Sequence, residues 1–198
     1  MQISINQAIS ELRRNKVETQ RSTYELKFGS KENCRKMFEE AFRAVDLSVE
    51  NYTHLPEYDY VIDWMTDTKG KGLFLTGDCG RGKSIILTGV IPALMFQLFN
   101  KVLNNYGAFE IVEKSSMISK QWAISIDDVG IEPTIKDYGE NIEGFNIIVD
   151  AAEARIAPLF ISTNLNSSEI LARYGERTFD RIFRLCKVVK FTGESLRK

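Results

Sequence analysis

Histidine occurs only once in this chain, at His54 in the turn-like stretch Tyr52-Thr53-His54-Leu55-Pro56, so metal or acid–base schemes built on paired imidazoles lose their basis. Cysteine is nearly as scarce: Cys34, Cys79 and Cys186 are far apart, odd in number and form no C-x-x-C or Cys/His cluster. That argues against a disulfide framework and a zinc site, and implies a reducing compartment. No stretch approaches the roughly 20 apolar residues of a membrane helix, and Met1-Gln2-Ile3-Ser4 begins no charged-then-apolar leader. The expectation is a cytoplasmic protein that does not use a membrane. An excess of one charge is missing too: 26 Lys and Arg stand against 27 Asp and Glu, a formal net charge of −1. Attraction to nucleic acid must therefore come from a local patch rather than from the whole chain. Internal repeats and low-complexity tracts are also lacking, and at 198 residues the default is one well-buried unit with an appendage.

Against these absences one motif stands out. Gly77-Asp78-Cys79-Gly80-Arg81-Gly82-Lys83-Ser84 fits G-x-x-x-x-G-K-[ST]. It lies between an apolar run, Gly72 to Thr76, that reads as a buried strand and a run opening with Ile85, Ile86 and Leu87 that reads as a helix. Glycines in that turn let successive N–H groups converge on phosphate oxygens, and the helix N-terminus adds its positive dipole end. Residues 77–85 are the expected nucleotide-binding stretch, with Lys83 reaching the outer phosphates of ATP and Ser84 ligating Mg2+.

The remaining pattern alternates strands and helices. Residues 1–50 read as a helical N-terminal segment, either partner-binding or packed on the core, with Ser30 as an N-cap and Met37, Phe38, Ala41, Phe42 and Val45 on one face. Residues 51–198 form the main domain. Leu47 to Tyr60 reads as a connector, followed by a short helix around Val61, Ile62 and Trp64. Gly89 and Pro92 predict a kink near Val90 to Ile91 in a helix that continues to about Val102. Strands are expected at Phe109 to Val112, Ala123 to Ile126, Pro158 to Ser162 and Val188 to Phe191. A helix carries Ile142, Phe145, Val149 and Ala152 on one side; another, capped by Ser167 or Ser168, stops at Gly175 before a second runs to about Cys186. Such alternation indicates an α/β fold, a parallel sheet flanked by helices with ligands at the carboxyl ends of its strands.

Three elements bring further chemistry to those ends. The strand Ala123 to Ile126 delivers Asp127 and Asp128, the form of a Walker B element, with Asp127 holding Mg2+ and Asp128 orienting or deprotonating the attacking water. Ser162-Thr163-Asn164 ends the next strand, where the Asn164 amide can hydrogen-bond the terminal phosphate or the water, or start a turn. Near the C-terminus Arg177, Arg181 and Arg184 share one helical face while Phe179, Ile182, Phe183 and Cys186 supply an apolar one, so the arginines are expected to project outward. Arg13, Arg14, Lys16 and Arg21 form a second basic group, read as a solvated helix face.

The order of parts resembles the DnaC/IstB group of AAA+ P-loop NTPases. Walker A, Ile126-Asp127-Asp128-Val129-Gly130, Ser-Thr-Asn, Tyr174-Gly175-Glu176-Arg177-x-x-x-Arg181 and the ending Gly193-Glu194-Ser195-Leu196-Arg197 match it over roughly residues 55 to 198. The resemblance implies a sensor at Asn164, an arginine finger at Arg181 assisted by Arg177, a second sensor at Arg197, and no separate C-terminal lid domain. It implies an ATPase that forms an ATP-dependent homo-oligomer and loads a replicative helicase onto DNA, or a transposition helper of the IstB type. A nucleotide-dependent scaffold with little hydrolysis is the third reading, since Asp128 stands where a longer Glu is commoner. Residues 104–121 leave room for a strand and a turn but little for the helix that loaders of this group place there against single-stranded DNA.

Overall fold

The computed structural model describes residues 4–15, 25–46, 52–137 and 140–196. Two helices lead, α1 (Ile5–Arg14) and α2 (Lys31–Val45). Ser30 caps α2, its hydroxyl accepting from the Asn33 N–H at 3.3 Å, and Cys34, Phe38 and Phe42 recur at a spacing of four on its buried face. These three belong to the same buried cluster as Leu73 and Leu75 of the sheet. The connector is shorter than expected, because Pro56, with its fixed φ and missing N–H, starts α3 (Pro56–Thr66) in the first-turn position where proline costs nothing.

Five parallel strands follow: β1 (Gly72–Gly77), β2 (Asn105–Gly107), β3 (Ile124–Val129), β6 (Leu159–Thr163) and β7 (Cys186–Phe191), in the order β2-β3-β6-β1-β7. β1 lies between β6 and β7, with Leu75 level with Ser162 on one side and Val189 on the other. Side chains alternate between two cores, as the period of two requires. Leu73 and Leu75 join α2, α3 and the helix after the phosphate loop on one face; Phe74, Ile124, Ile126, Leu159 and Ile161 meet the later helices on the other. With both faces covered, the strands read as near-continuous apolar runs.

The helix after β1 is interrupted where proline predicts it. α4 (Lys83–Ile85) passes into a π-helical turn, Ile86–Val90, before α5 (Ile91–Phe99), which has Pro92 in its first turn. It ends at Phe99 rather than Val102, because Asn100 takes a left-handed φ of 51° and returns its N–H to Met95 and Phe96. The expected strand at Phe109 to Val112 is replaced by a 3-10 turn, Ala108–Glu110, and the helix α6 (Ile111–Ile118). Glu110 decides this: its carboxylate accepts from the Gly107 N–H at 2.8 Å and pairs with Lys114 at 2.6 Å, both helix-start contacts. A helix therefore does occupy the interval before β3.

Ile142 is not part of the following helix; it closes a two-stranded antiparallel pair, β4 (Ile135–Asp137) and β5 (Glu140–Ile142), ahead of α7 (Gly144–Arg155). α8 (Ser167–Leu185) is capped by Asn166 rather than a serine, its side chain accepting from Ser168 and Glu169, and it is broken at Gly175, whose φ of 81° and ψ of 165° are not helical. Among the described residues no helix is long and apolar enough to cross a membrane.

Candidate functional site

The phosphate loop hangs from the carboxyl end of β1. Gly77 closes the strand, Asp78 to Gly82 form the loop, and Lys83, Ser84 and Ile85 make up α4. Gly80 (φ 72°) is held to glycine by conformation and by space, since a Cβ there would lie 2.0 Å from the Ser195 hydroxyl oxygen. The Lys83 ammonium is buried and folded into the loop, donating to the carbonyls of Gly77 at 2.8 Å and Asp78 at 2.7 Å and to the Asn164 side-chain oxygen at 2.9 Å. Burial pushes its pKa below the ordinary lysine value, opposed by the neighbouring acidic groups of Cys79, Asp128, Asp78 and Asp127. Ser84 and Ile85 are half-buried and Cys79 is exposed. The Arg81 side chain turns away behind the loop, where it meets Glu57.

Asp127 and Asp128 sit at an irregularity in β3. Its pairing with β6 shifts register between Ile126 and Val129, and Asp128 takes a left-handed φ of 58°, a conformation Asp tolerates. Ser162 joins the two acids: its hydroxyl donates to Asp127 Oδ1 and accepts from the Asp128 N–H at 2.9 Å. Lys83, Asp127, Asp128 and Asn164 thus lie at the carboxyl ends of three neighbouring strands. Ser84 and Asp127 offer a hydroxyl and a carboxylate, hard oxygen donors suited to Mg2+. Among the described residues no group of three or more His, Cys, Asp or Glu could hold a metal ion.

Behind the acids a buried network ties the loop after β3 to α8. The Glu132 side chain is fully buried; one oxygen accepts from the Tyr174 hydroxyl and the other from the Gly130 N–H at 2.7 Å. Arg173 donates to the carbonyls of Gly130 and Glu132 and pairs with Glu143 at 3.3 Å. Burial, then the bond to Glu132, pushes the Tyr174 pKa upward, so the hydroxyl remains a donor.

The arginines beyond Gly175 do not all project outward as their spacing predicts. Arg181 is 13 % exposed and ion-paired with Asp150 and Glu153 of α7. Arg177 is 73 % exposed, with one contact to Asp150 at 3.5 Å, and Arg184 bridges Glu153 and Asp180. The acids that draw Arg181 inward come from another helix, which spacing within α8 does not reveal. Arg197 lies outside the described residues.

The sequence pattern does not assign a role to Ser162, Glu57 or Glu132. A polar residue inside an otherwise apolar strand beside the acidic one is a usable signal for Ser162. Glu57 looks like any acid favoured at a helix N-terminus, and Glu132 like a loop acid.

No family model matches the chain. A curated relative, the replicative helicase loader DnaI of Bacillus subtilis (strain 168), is 23 % identical over 183 residues, covering 79 % of this chain and 58 % of the relative. The chain therefore spans less than two thirds of that protein. Among solved structures, the DnaC helicase loader superposes with a TM-score of 0.59 at 13 % identity, covering 76 % of this chain and 98 % of that one. The AMPPCP-bound DnaA of Aquifex aeolicus gives a TM-score of 0.52 at 13 % identity, covering 72 % of this chain and 49 % of that one. The fold is that of AAA+ P-loop proteins, and the resemblance to DnaC-type AAA+ ATPases carried by the motifs is matched by these relatives.

Proposed function

From this DnaC-like AAA+ frame we propose that the chain binds ATP with Mg2+, hydrolyses it, and acts in DNA replication by loading a replicative helicase through ATP-dependent assembly. The observation that carries the reading is the convergence of Lys83, Asp127, Asp128 and Asn164 at the strand ends, with Lys83 already bonded to Asn164. In this reading the triphosphate lies over the α4 N-terminus, against backbone N–H groups of residues 79–84. Lys83 exchanges carbonyl contacts for outer phosphate oxygens. Ser84 and Asp127 hold Mg2+, which when bound supplies charge neutralisation at the phosphates. Asp128 orients or deprotonates the attacking water, and Asn164 hydrogen-bonds that water or the terminal phosphate.

Two arginines serve a neighbouring subunit. Arg177 is exposed enough to reach another nucleotide directly, whereas Arg181 exchanges Asp150 and Glu153 for it on assembly. Loading of a helicase is the activity of the DnaI and DnaC relatives, and the shared fold supports carrying it to this chain. The presence of α6 restores a helix where loaders of this group contact single-stranded DNA, and the exposed ring of Phe109 beside it supports that contact through base stacking.

Hydrolysis per subunit, followed over a wide range of protein concentration with single-stranded or duplex DNA, tests the reading. A rate that climbs with concentration and responds to single strands, with capture of a replicative helicase, supports a loader. Stimulation by duplex supports a transposition helper, and tight binding without turnover supports a scaffold.

A further inference from the structure

We infer that Arg81 and Glu57 are positioning residues for nucleotide binding, their buried ion pair fastening the phosphate loop to residues 192–196 and holding it ready for phosphate. The inference rests on the nucleotide-binding reading above. The Arg81 guanidinium donates through Nε to Glu57 Oε1 at 2.7 Å, lies 2.6 Å from the same oxygen through Nη2, and donates through Nη1 to the Glu194 carbonyl at 3.0 Å. Glu57 Oε1 also accepts from the Thr192 N–H at 3.1 Å. Further tethers run in parallel: Gly193 N–H to Asp78 Oδ2 at 2.8 Å, Leu196 N–H to the Gly80 carbonyl at 2.9 Å, and Asp78 N–H to the Phe191 carbonyl at 2.9 Å. From α3, the Tyr58 hydroxyl donates to the Arg81 carbonyl at 3.2 Å.

Three observations separate positioning from plain stability. First, the pair is about nine-tenths buried yet incomplete: Glu57 Oε2 is buried with no hydrogen-bond partner. A buried carboxylate satisfied through one oxygen is a poor stabiliser, so stability alone does not account for it. Second, the contacts fall on the backbone of the loop itself, at Asp78, Gly80 and Arg81, the segment whose N–H groups must converge on phosphate. Third, a loop of this kind is a ring of N–H dipoles with little packing of its own, so an outside restraint lowers the ordering cost of binding. Arg81, inside the motif, thus contributes by holding the loop from behind.

The test titrates MgATP calorimetrically into the full chain, comparing wild type, Lys83→Ala, Glu57→Gln and the double variant Arg81→Met with Glu57→Leu. Replacing both partners of a buried pair by apolar residues leaves fold stability near or above wild type. The double variant should therefore fold, with a modestly lower melting temperature because the Thr192 N–H loses its acceptor, while binding MgATP about tenfold or more weakly. In the nucleotide-free double variant the amides of Thr192, Gly193 and Leu196 should exchange faster. Glu57→Gln keeps volume and acceptor oxygen, so it should fold even if the double variant does not, and should weaken MgATP binding in the same direction. Wild-type affinity in a folded variant, or a loss that tracks melting temperature alone, overturns the inference. If Lys83→Ala abolishes binding while these variants do not change it, only the positioning role fails; if Lys83→Ala binds like wild type, the nucleotide reading falls and takes this role with it.

Discussion

Lys83 Nζ donates to the side-chain oxygen of Asn164 at 2.9 Å, making the phosphate-loop ammonium and the amide at the end of β6 one polar unit. Lys83→Ala removes the cation and should abolish MgATP binding in an equilibrium titration; unchanged affinity would remove the phosphate-loop assignment. Asn164→Ala leaves the cation and the loop carbonyls in place, so binding should persist. Turnover should fall about 10²-fold, the scale for removing one polar group aimed at the reacting centre. Single-turnover kinetics separate the two effects.

Ser162 gives the acids a different sensitivity. Ser162→Ala takes the donor from Asp127 and the acceptor from the Asp128 N–H, in a strand buried on both faces. Leaving that N–H unpaired costs about 1–3 kcal/mol, measurable as a lower urea midpoint at unchanged slope. Turnover should drop as well, because the acids lose their shared anchor. Asp128→Asn, which is isosteric, should keep nucleotide affinity and slow hydrolysis; a normal rate would move the water-positioning role elsewhere.

What could be read from the sequence was what is local. The phosphate loop announces itself because strand, glycines, lysine and helix are contiguous, and Asp127 and Asp128 because an apolar strand points at them. The misread region shows the limit. Ala108 to Val112 is rich enough in apolar and branched residues to suggest a strand, yet a capping contact from Glu110 to Gly107 and its pairing with Lys114 turn it into a helix. Those signals were local too, but side-chain hydrogen bonding had to outweigh β propensity, which composition does not show. The outward projection expected of Arg181 is lost for a different reason: Asp150 and Glu153 become its neighbours only when α7 packs on α8. Glu57 meets Thr192 in the same way, across nearly the whole domain.

In the proposed assembly, the pairing of Arg181 with Asp150 and Glu153 bears on cooperation between subunits. Arg177→Ala with Arg181→Ala should leave a competent nucleotide site lacking the cations for a neighbour, and Lys83→Ala the reverse. Mixed, the two should recover activity that neither has alone, since a finger of this type accelerates hydrolysis by about 10³ to 10⁵. No recovery argues against action in trans. Asp150→Asn with Glu153→Gln should release Arg181 and raise hydrolysis at a given protein concentration. If Arg181 is only a structural cation, the same change should lower the melting temperature without raising the rate.

The Tyr174 hydroxyl is the final point of control, because it is the donor that α8 supplies to the buried Glu132 carboxylate. Tyr174→Phe keeps the tilted ring contact with Phe145, whose centroid lies 4.8 Å away, and removes only that donor. A hydrogen bond to a charged group contributes about 1.5–3 kcal/mol, so the variant should fold with a lower urea midpoint. The loop after Asp128 would then be held to α8 through Arg173 alone, and the turn of α8 just before the break at Gly175 would lose one of its polar contacts to that loop. MgATP affinity should be unchanged, because none of the phosphate loop's own contacts runs through Tyr174. Hydrolysis should fall more steeply at high protein concentration than at low, where neighbours contribute little. A uniform loss at every concentration would assign Tyr174 to its own subunit's acids, and an unchanged rate in the destabilised protein would reduce the network to packing.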